Sequence, residues 1–300
     1  MDDIDSYTFY PWYPRGVKQI LAAGGNHFIA LYNEITVLRF PRVAPGEEKL
    51  LRADGRPRYT DKILAYRQAL RKQALHGLSV EKRILQAPGH HPRIVRLRDG
   101  EEEDHEDGLL IEYMPNGSVE KYLQQHACCD GVLLSLQQRL SWALQAAEGL
   151  AYVHSKHVLH CDMGPGNLPL DERLQVKLCD FQGRLLSPDG SGSDTTDDGD
   201  VVVVVLDGGS TQGTLTSMPR DDWDYCDVRT DRFALGTTIY YIVTGERPFA
   251  PLDPVDDEDE IQRRFKAKEY PDLEAERGGD VVRKCWSGDY AATDDVVRDL

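Results

Sequence analysis

The stretch 160–183 limits the fold more than any other part of the chain: it reads H-C-D-M-G-P-G-N, then an apolar run, then C-D-F-Q-G. Asp162 precedes Asn167 by five residues, and Asp180 follows thirteen residues later, just past the apolar run 176–178. At that spacing one carboxylate can accept a hydroxyl proton while the amide and the second carboxylate hold Mg2+ against nucleotide phosphates. The plainer alternative is a loop of solvated polar residues beside a core strand.

Composition narrows the classes. Three hundred residues, 40% hydrophobic and 29% charged, suffice for one two-lobed domain or two small ones with an ample core. A formal net charge of -16 repels phosphate backbones and anionic membranes, so no nucleic acid and no membrane is expected as partner. The six cysteines (128, 129, 161, 179, 226 and 285) show no metal-ligand spacing, which points to reduced thiols. The N-terminal leader 1–16 has no signal pattern and no apolar run can span a bilayer, so a soluble protein of the cytoplasm or nucleus is expected.

Strands are expected over 17–22 and 31–40, separated by G-G-N-H-F at 24–28, with a turn at 32–34 interrupting the second. The stretch 45–75 looks like an insertion, turned at Pro45-Gly46 and Asp54-Gly55. Its end carries a helix face of Ile63, Leu64, Tyr66, Leu70 and Leu75; Gly77 is expected to end that helix and a second to run over 78–86. An acidic hairpin, 99–107, reads as a solvated loop, and 136–154 as an amphipathic helix. The segment 183–220 is long and rich in Ser, Gly and Asp, with a strand expected over 201–206. Helices are expected over 261–267, 281–286 and 292–300.

His160, Asp162, Asn167, Asp180 and Phe181 resemble the protein-kinase catalytic loop H-R-D-x-x-x-x-N followed by D-F-G. Leu109 to Ser118 is similar to the kinase hinge E-Y-M-x-x-G-S, and Asp231 to Gly236, with Thr244-Gly245 and Pro248-Phe249, to the buried D-x-x-x-x-G helix and its T-G-x-x-P-F tail. Cys285-Trp286 matches the family's late C-W pair. The resemblance implies an α+β, bilobal fold with a small, mostly β N-lobe (17–112, insertion 45–75) and a large, mostly α C-lobe (113–300, insertion 184–220). It implies ATP and Mg2+ as cofactors and a protein substrate or scaffold partner. By the same resemblance Asp162 is the catalytic base, and Asn167 and Asp180 hold the metal. Gly24 and Gly25 lie in the phosphate-covering loop, Arg39 stands at the strand lysine with Glu81 as its helix partner, and Leu85 packs between helix and catalytic core. The Glu112 carbonyl and Met114 amide take the adenine edge behind the gatekeeper Ile111, while His160, Phe181 and Asp231 give structural support.

The chain departs from the family in ways that bear on activity. Arg39 replaces a lysine, Cys161 the arginine of H-R-D, and Gly164 a phosphate-steadying lysine. Gln182 is inserted into D-F-G, and Met218-Pro219-Arg220 replaces A-P-E, with the late pairing arginine also gone. Without a cation at 161, a phosphate on the 184–220 segment has no partner there. Pro165 leans towards serine/threonine over tyrosine specificity. An ATP-dependent protein kinase is therefore expected, with a catalytically impaired pseudokinase as the alternative. A small-molecule phosphotransferase shares the loop, but the hinge and the Asp231 helix speak against it.

Overall fold

Gly24 starts the turn that closes the first hairpin: its N–H donates to the His27 carbonyl at 2.9 Å. The strands on either side, β1 (Gln19–Ala23) and β2 (His27–Leu31), pair antiparallel, and β3 (Thr36–Pro41) follows. A turn at 32–35 separates β2 from β3, with Asn33 Oδ1 accepting from the Ile35 N–H at 3.0 Å. This computed structural model describes residues 11–52, 54–98, 108–126, 134–181, 183–187, 194–195, 201–202, 204–209 and 213–300.

After β3 comes helix α1 (Asp61–Gln86), then β4 (Leu109–Glu112), which completes a four-stranded sheet of order β1-β2-β3-β4. Antiparallel register sets Ile29 opposite Arg39 and Val37 opposite Ile111. Phe28, Ala30, Leu38, Phe40 and Leu110 form the buried core here, and Trp12 stands edge-on to Phe40 at 5.1 Å. Residues Met1–Lys82 and Arg96–Tyr113 make up this smaller unit.

Gly77 does not end the helix. α1 runs through it without a break for 26 residues, because its flanks are good helix formers and one face is tethered along its length. Glycine weakens a helix interior by only about 1 kcal/mol, and packing overrides that.

Arg83–Val95 and Met114–Leu300 form the larger unit, mostly helical. It contains α2 (Val119–His126), α3 (Leu136–Ser155), β5 (Val158–Leu159), β6 (Arg184–Leu186), β7 (Asp194–Thr195), β8 (Val201–Val202) and β9 (Val204–Asp207). Then follow α4 (Val228–Thr244), α5 (Glu258–Lys266), α6 (Gly279–Ser287) and α7 (Thr293–Asp299). Helix α3 packs on α4 and α7, and α4 on α6. Asp227 caps α4 by accepting from the Arg229 and Thr230 amides, and Gly245 in the left-handed region ends it. The stretch 83–95 is held in this unit by Val95 N–H to the Leu178 carbonyl at 3.0 Å and Leu178 N–H to the Arg93 carbonyl at 2.8 Å. Gly149 lets α3 come that close, since a Cβ there would sit 2.4 Å from Leu178.

The expected strand at 201–206 is present as β8 and β9, with β9 paired to β6 and β8 to β7. Cys128, Cys129, Gln182, the 99–107 stretch and most of the 1–16 leader lie outside the described residues. Among the described residues, Cys161, Cys179, Cys226 and Cys285 form no disulfide, and no helix is long and apolar enough to cross a membrane.

Candidate active site

Asp162 and Asn167 meet. The Asn167 amide donates through Nδ2 to both the Asp162 carbonyl and Asp162 Oδ2, each at 2.8 Å. Both hydrogen bonds use the amide nitrogen and neither uses Oδ1. Pro165–Asn167 form a single helical turn, closed by Asn167 N–H to the Gly164 carbonyl at 3.0 Å.

The residue before Asp180 is tied to this loop through its backbone. Cys179 N–H donates to the Asn167 carbonyl at 3.1 Å, and His160 Nε2 donates to the Cys179 carbonyl at 3.0 Å. Asp180 itself holds φ +63°, a left-handed conformation that costs a non-glycine residue about 1 kcal/mol or more. Cys161, next to Asp162, holds φ +59°. One of these residues borders the Asp162 carboxylate and the other carries its own. Phe181 is fully buried with its ring 4.9 Å from His160, and Gly183 follows where a Cβ would meet the Leu159 carbonyl at 1.9 Å. Only glycine fits there.

Asp231 holds the loop from below. Fully buried on α4, it accepts from the His160 N–H at 2.7 Å, the Cys161 N–H at 2.9 Å and His154 Nε2 at 3.0 Å. Burial by itself would raise its pKa. The His154 hydrogen bond, the charges of His154 and His160 and the His160 amide outweigh it and hold the carboxyl below the ordinary range. Cys161 is 1% exposed beside Leu159 and Cys226. A hydrogen bond with Cys226, burial and the nearby Asp231 carboxylate push its thiol well above the usual value.

In the smaller unit Arg39 grips Glu81: one Nη1 donates to both carboxylate oxygens at 2.9 Å, with side chains 9% and 1% exposed. Gly24 and Gly25 direct their carbonyls to Arg42 Nη1 at 3.1 and 3.3 Å, so an arginine not singled out from sequence ties the loop down. Glu112 ends β4; its N–H donates to the Arg96 carbonyl at 2.9 Å, and its Oε1 accepts from the Arg96 N–H at 2.8 Å. Met114 begins the second stretch of the larger unit, its carbonyl accepting from the Gly117 N–H at 3.3 Å. Ile111 and Leu85 are buried.

The donor set fits magnesium. Among the described residues no three His, Cys, Asp or Glu side chains gather to hold a metal. A cation here would rest on Asn167 Oδ1, Asp180, phosphate oxygens and waters, the mixed shell that Mg2+ takes.

Residues 39–293 match the sequence model of the family described as protein tyrosine and serine/threonine kinase. The chain belongs to this family. Its kinase domain is 25% identical over 197 residues to the serine/threonine-protein kinase PKH2 of Saccharomyces cerevisiae, covering 65% of this chain and 18% of that protein. It is 31% identical over 183 residues to the probable serine/threonine-protein kinase PBL20 of Arabidopsis thaliana, covering 61% and 43%. Against Aurora kinase A-A of Xenopus laevis it is 29% identical over 238 residues, covering 76% and 52%. The chain thus spans about half or less of each of these relatives. Its small antiparallel-sheet lobe and large helical lobe make up the bilobal α+β kinase fold.

Two residues that tie these segments together were not among the predicted site residues, although Leu150 to His154 resembles the end of the kinase helix before the loop. His154, which bonds Asp231 and Thr293, lies 77 residues from the carboxylate it supports. Arg42 has no periodic relation to the glycines it holds. Their partners are set by tertiary structure alone.

Proposed function

We propose that the chain is an ATP-dependent protein kinase of the serine/threonine type, transferring the γ-phosphate of ATP to a hydroxyl of a protein substrate. Mg-ATP, when bound, supplies the phosphoryl group and a cation that neutralises its charge. Asp162 orients the acceptor hydroxyl and takes its proton, and the Asn167 amide keeps that carboxylate in one rotamer. Asn167 Oδ1 and Asp180 hold Mg2+. Arg39, fixed by Glu81, binds phosphate oxygens beneath the Gly24-Gly25 backbone, and the Glu112 carbonyl and Met114 amide take the adenine edge. His160, Phe181, Leu85 and Asp231 do no chemistry; they hold those groups in place.

The observation that carries this reading is the locked triad of Asp162, Asn167 and the Asp180 segment, cross-bonded at 2.8 to 3.1 Å over Asp231. The serine/threonine kinases among the relatives and Pro165 support the acceptor class.

A second reading, a pseudokinase that binds nucleotide or protein as a scaffold, draws on Gly164. The family's lysine is missing there, and the space beside Gly164 is open to 4 Å. A lost electrostatic donor costs on the order of 10² to 10³ in rate. Transfer from labelled ATP to mixed protein substrates decides between the readings. Kinase activity predicts that Asp162→Asn lowers the signal at least about 10²-fold; equal signal from parent and variant establishes the scaffold.

A further inference from the structure

Helix α1 carries polar tethers along one face. Arg67, 1% exposed, forks onto the Glu47 carboxylate, Nε to Oε2 at 2.6 Å and Nη2 to Oε1 at 2.8 Å. Its guanidinium lies 4.7 Å from the ring of buried Tyr59. One turn on, Arg71 Nη1 donates to the Val43 carbonyl at 3.0 Å. The Ala74 carbonyl accepts from His27 Nε2 at 3.0 Å, and Glu81 takes Arg39.

Positions 67, 71, 74 and 81 advance by four, three and seven, which at about 3.6 residues per turn keeps them on a single stripe. Leu78, 4% exposed, fills the gap on it. Opposite them stand Glu47, Val43 and Arg39, in reverse order, on β3 and the chain that leaves it. Helix and strand thus run alongside each other, pinned at successive points, with the Arg39–Glu81 pair as the last.

A buried ion pair is rarely the best source of stability, since an apolar pair of the same volume does as well or better. What a bidentate pair sets is register. A shift of α1 by one residue, about 1.5 Å along its axis and about 100° around it, would strand both Arg67 and Glu47. Cys161, meanwhile, offers no cation to a phosphate on the 184–220 segment.

We propose that Glu47 and Arg67 are positioning residues of the kinase site, fixing the register of α1 so that Glu81 meets Arg39 whether or not the 184–220 segment is phosphorylated. The 45–75 insertion therefore does within the smaller lobe what a phosphate-dependent contact would otherwise have to do. The inference rests on the reading of Arg39 as the phosphate-binding side chain.

The test compares the full chain with a Glu47→Leu/Arg67→Met variant, which keeps volume and removes charge, and with the swapped Glu47→Arg/Arg67→Glu. The apolar variant should unfold at nearly the parent temperature yet bind Mg-ATP about tenfold more weakly, with faster amide exchange over 76–82. The swapped pair should recover both. Phosphatase treatment of the parent should change neither. The proposal is overturned if the apolar variant keeps parental affinity and exchange, or if phosphatase weakens the parent as much as the substitutions do. If the parent binds no Mg-ATP, the nucleotide reading fails on its own. Exchange over 76–82 then decides, and equal protection in parent and apolar variant sinks the proposal.

Discussion

Asp231 gathers two backbone amides and an imidazole onto one carboxylate shielded from water, so its charge state and the shape of the catalytic loop are linked. Its pKa is depressed, so the stability it contributes is complete above the unfolded value near 4 and is lost as pH falls through the lower folded value. Asp231→Asn should cost about 3 kcal/mol at pH 7. In urea titrations at a series of pH values, that gap should narrow below about pH 4; a gap equally wide at pH 3 and pH 7 would show that the charge is not what matters. That Asp162 and Asn167 meet follows from their closeness in sequence, five residues apart within one short loop. The partner of His154 was not legible: Leu150 to His154 resembles a kinase helix end, but nothing in that pattern marks a carboxylate 77 residues away.

Among the elements, α1 shows where reading by pattern stops. The expected apolar face of Ile63, Leu64, Tyr66, Leu70 and Leu75 is at most half-buried, with Tyr66 exposed, while Arg67, Ala74 and Leu78 are buried instead; Gly77 read as a terminator, and the helix passes through it. The tethers at 67, 71, 74 and 81 pair with residues 20 to 47 positions away, so periodicity holds no trace of them. Gly77 has an ordinary helical φ and nothing within 4 Å of a built Cβ. Gly77→Ala should therefore stabilise the protein by about 0.4 to 1 kcal/mol, raising the urea midpoint with the slope unchanged. A lowered midpoint would mean that the glycine answers a packing need. The turn at 32–34 lies where it was expected, because Asn33 makes a local side-chain turn, but it separates β2 from β3 instead of interrupting one strand over 31–40.

For the whole molecule, the sequence carried the two-lobed class and the order of its parts, since motifs spaced over 200 residues leave few alternatives. It did not carry the pairing within the 45–75 stretch, because Glu47 and Arg67 meet only once α1 lies along the chain that leaves β3. The net charge of -16 describes the surface and is silent on the site. The central claim is that Asn167 and Asp180 hold Mg2+ for a nucleotide. Calorimetric titration of ATP into the chain, with and without Mg2+, beside Asp180→Asn, tests it most directly. The account predicts saturable binding that strengthens with Mg2+ and weakens about tenfold or more in the variant. Absence of binding under both conditions, or identical curves for parent and variant, would contradict it.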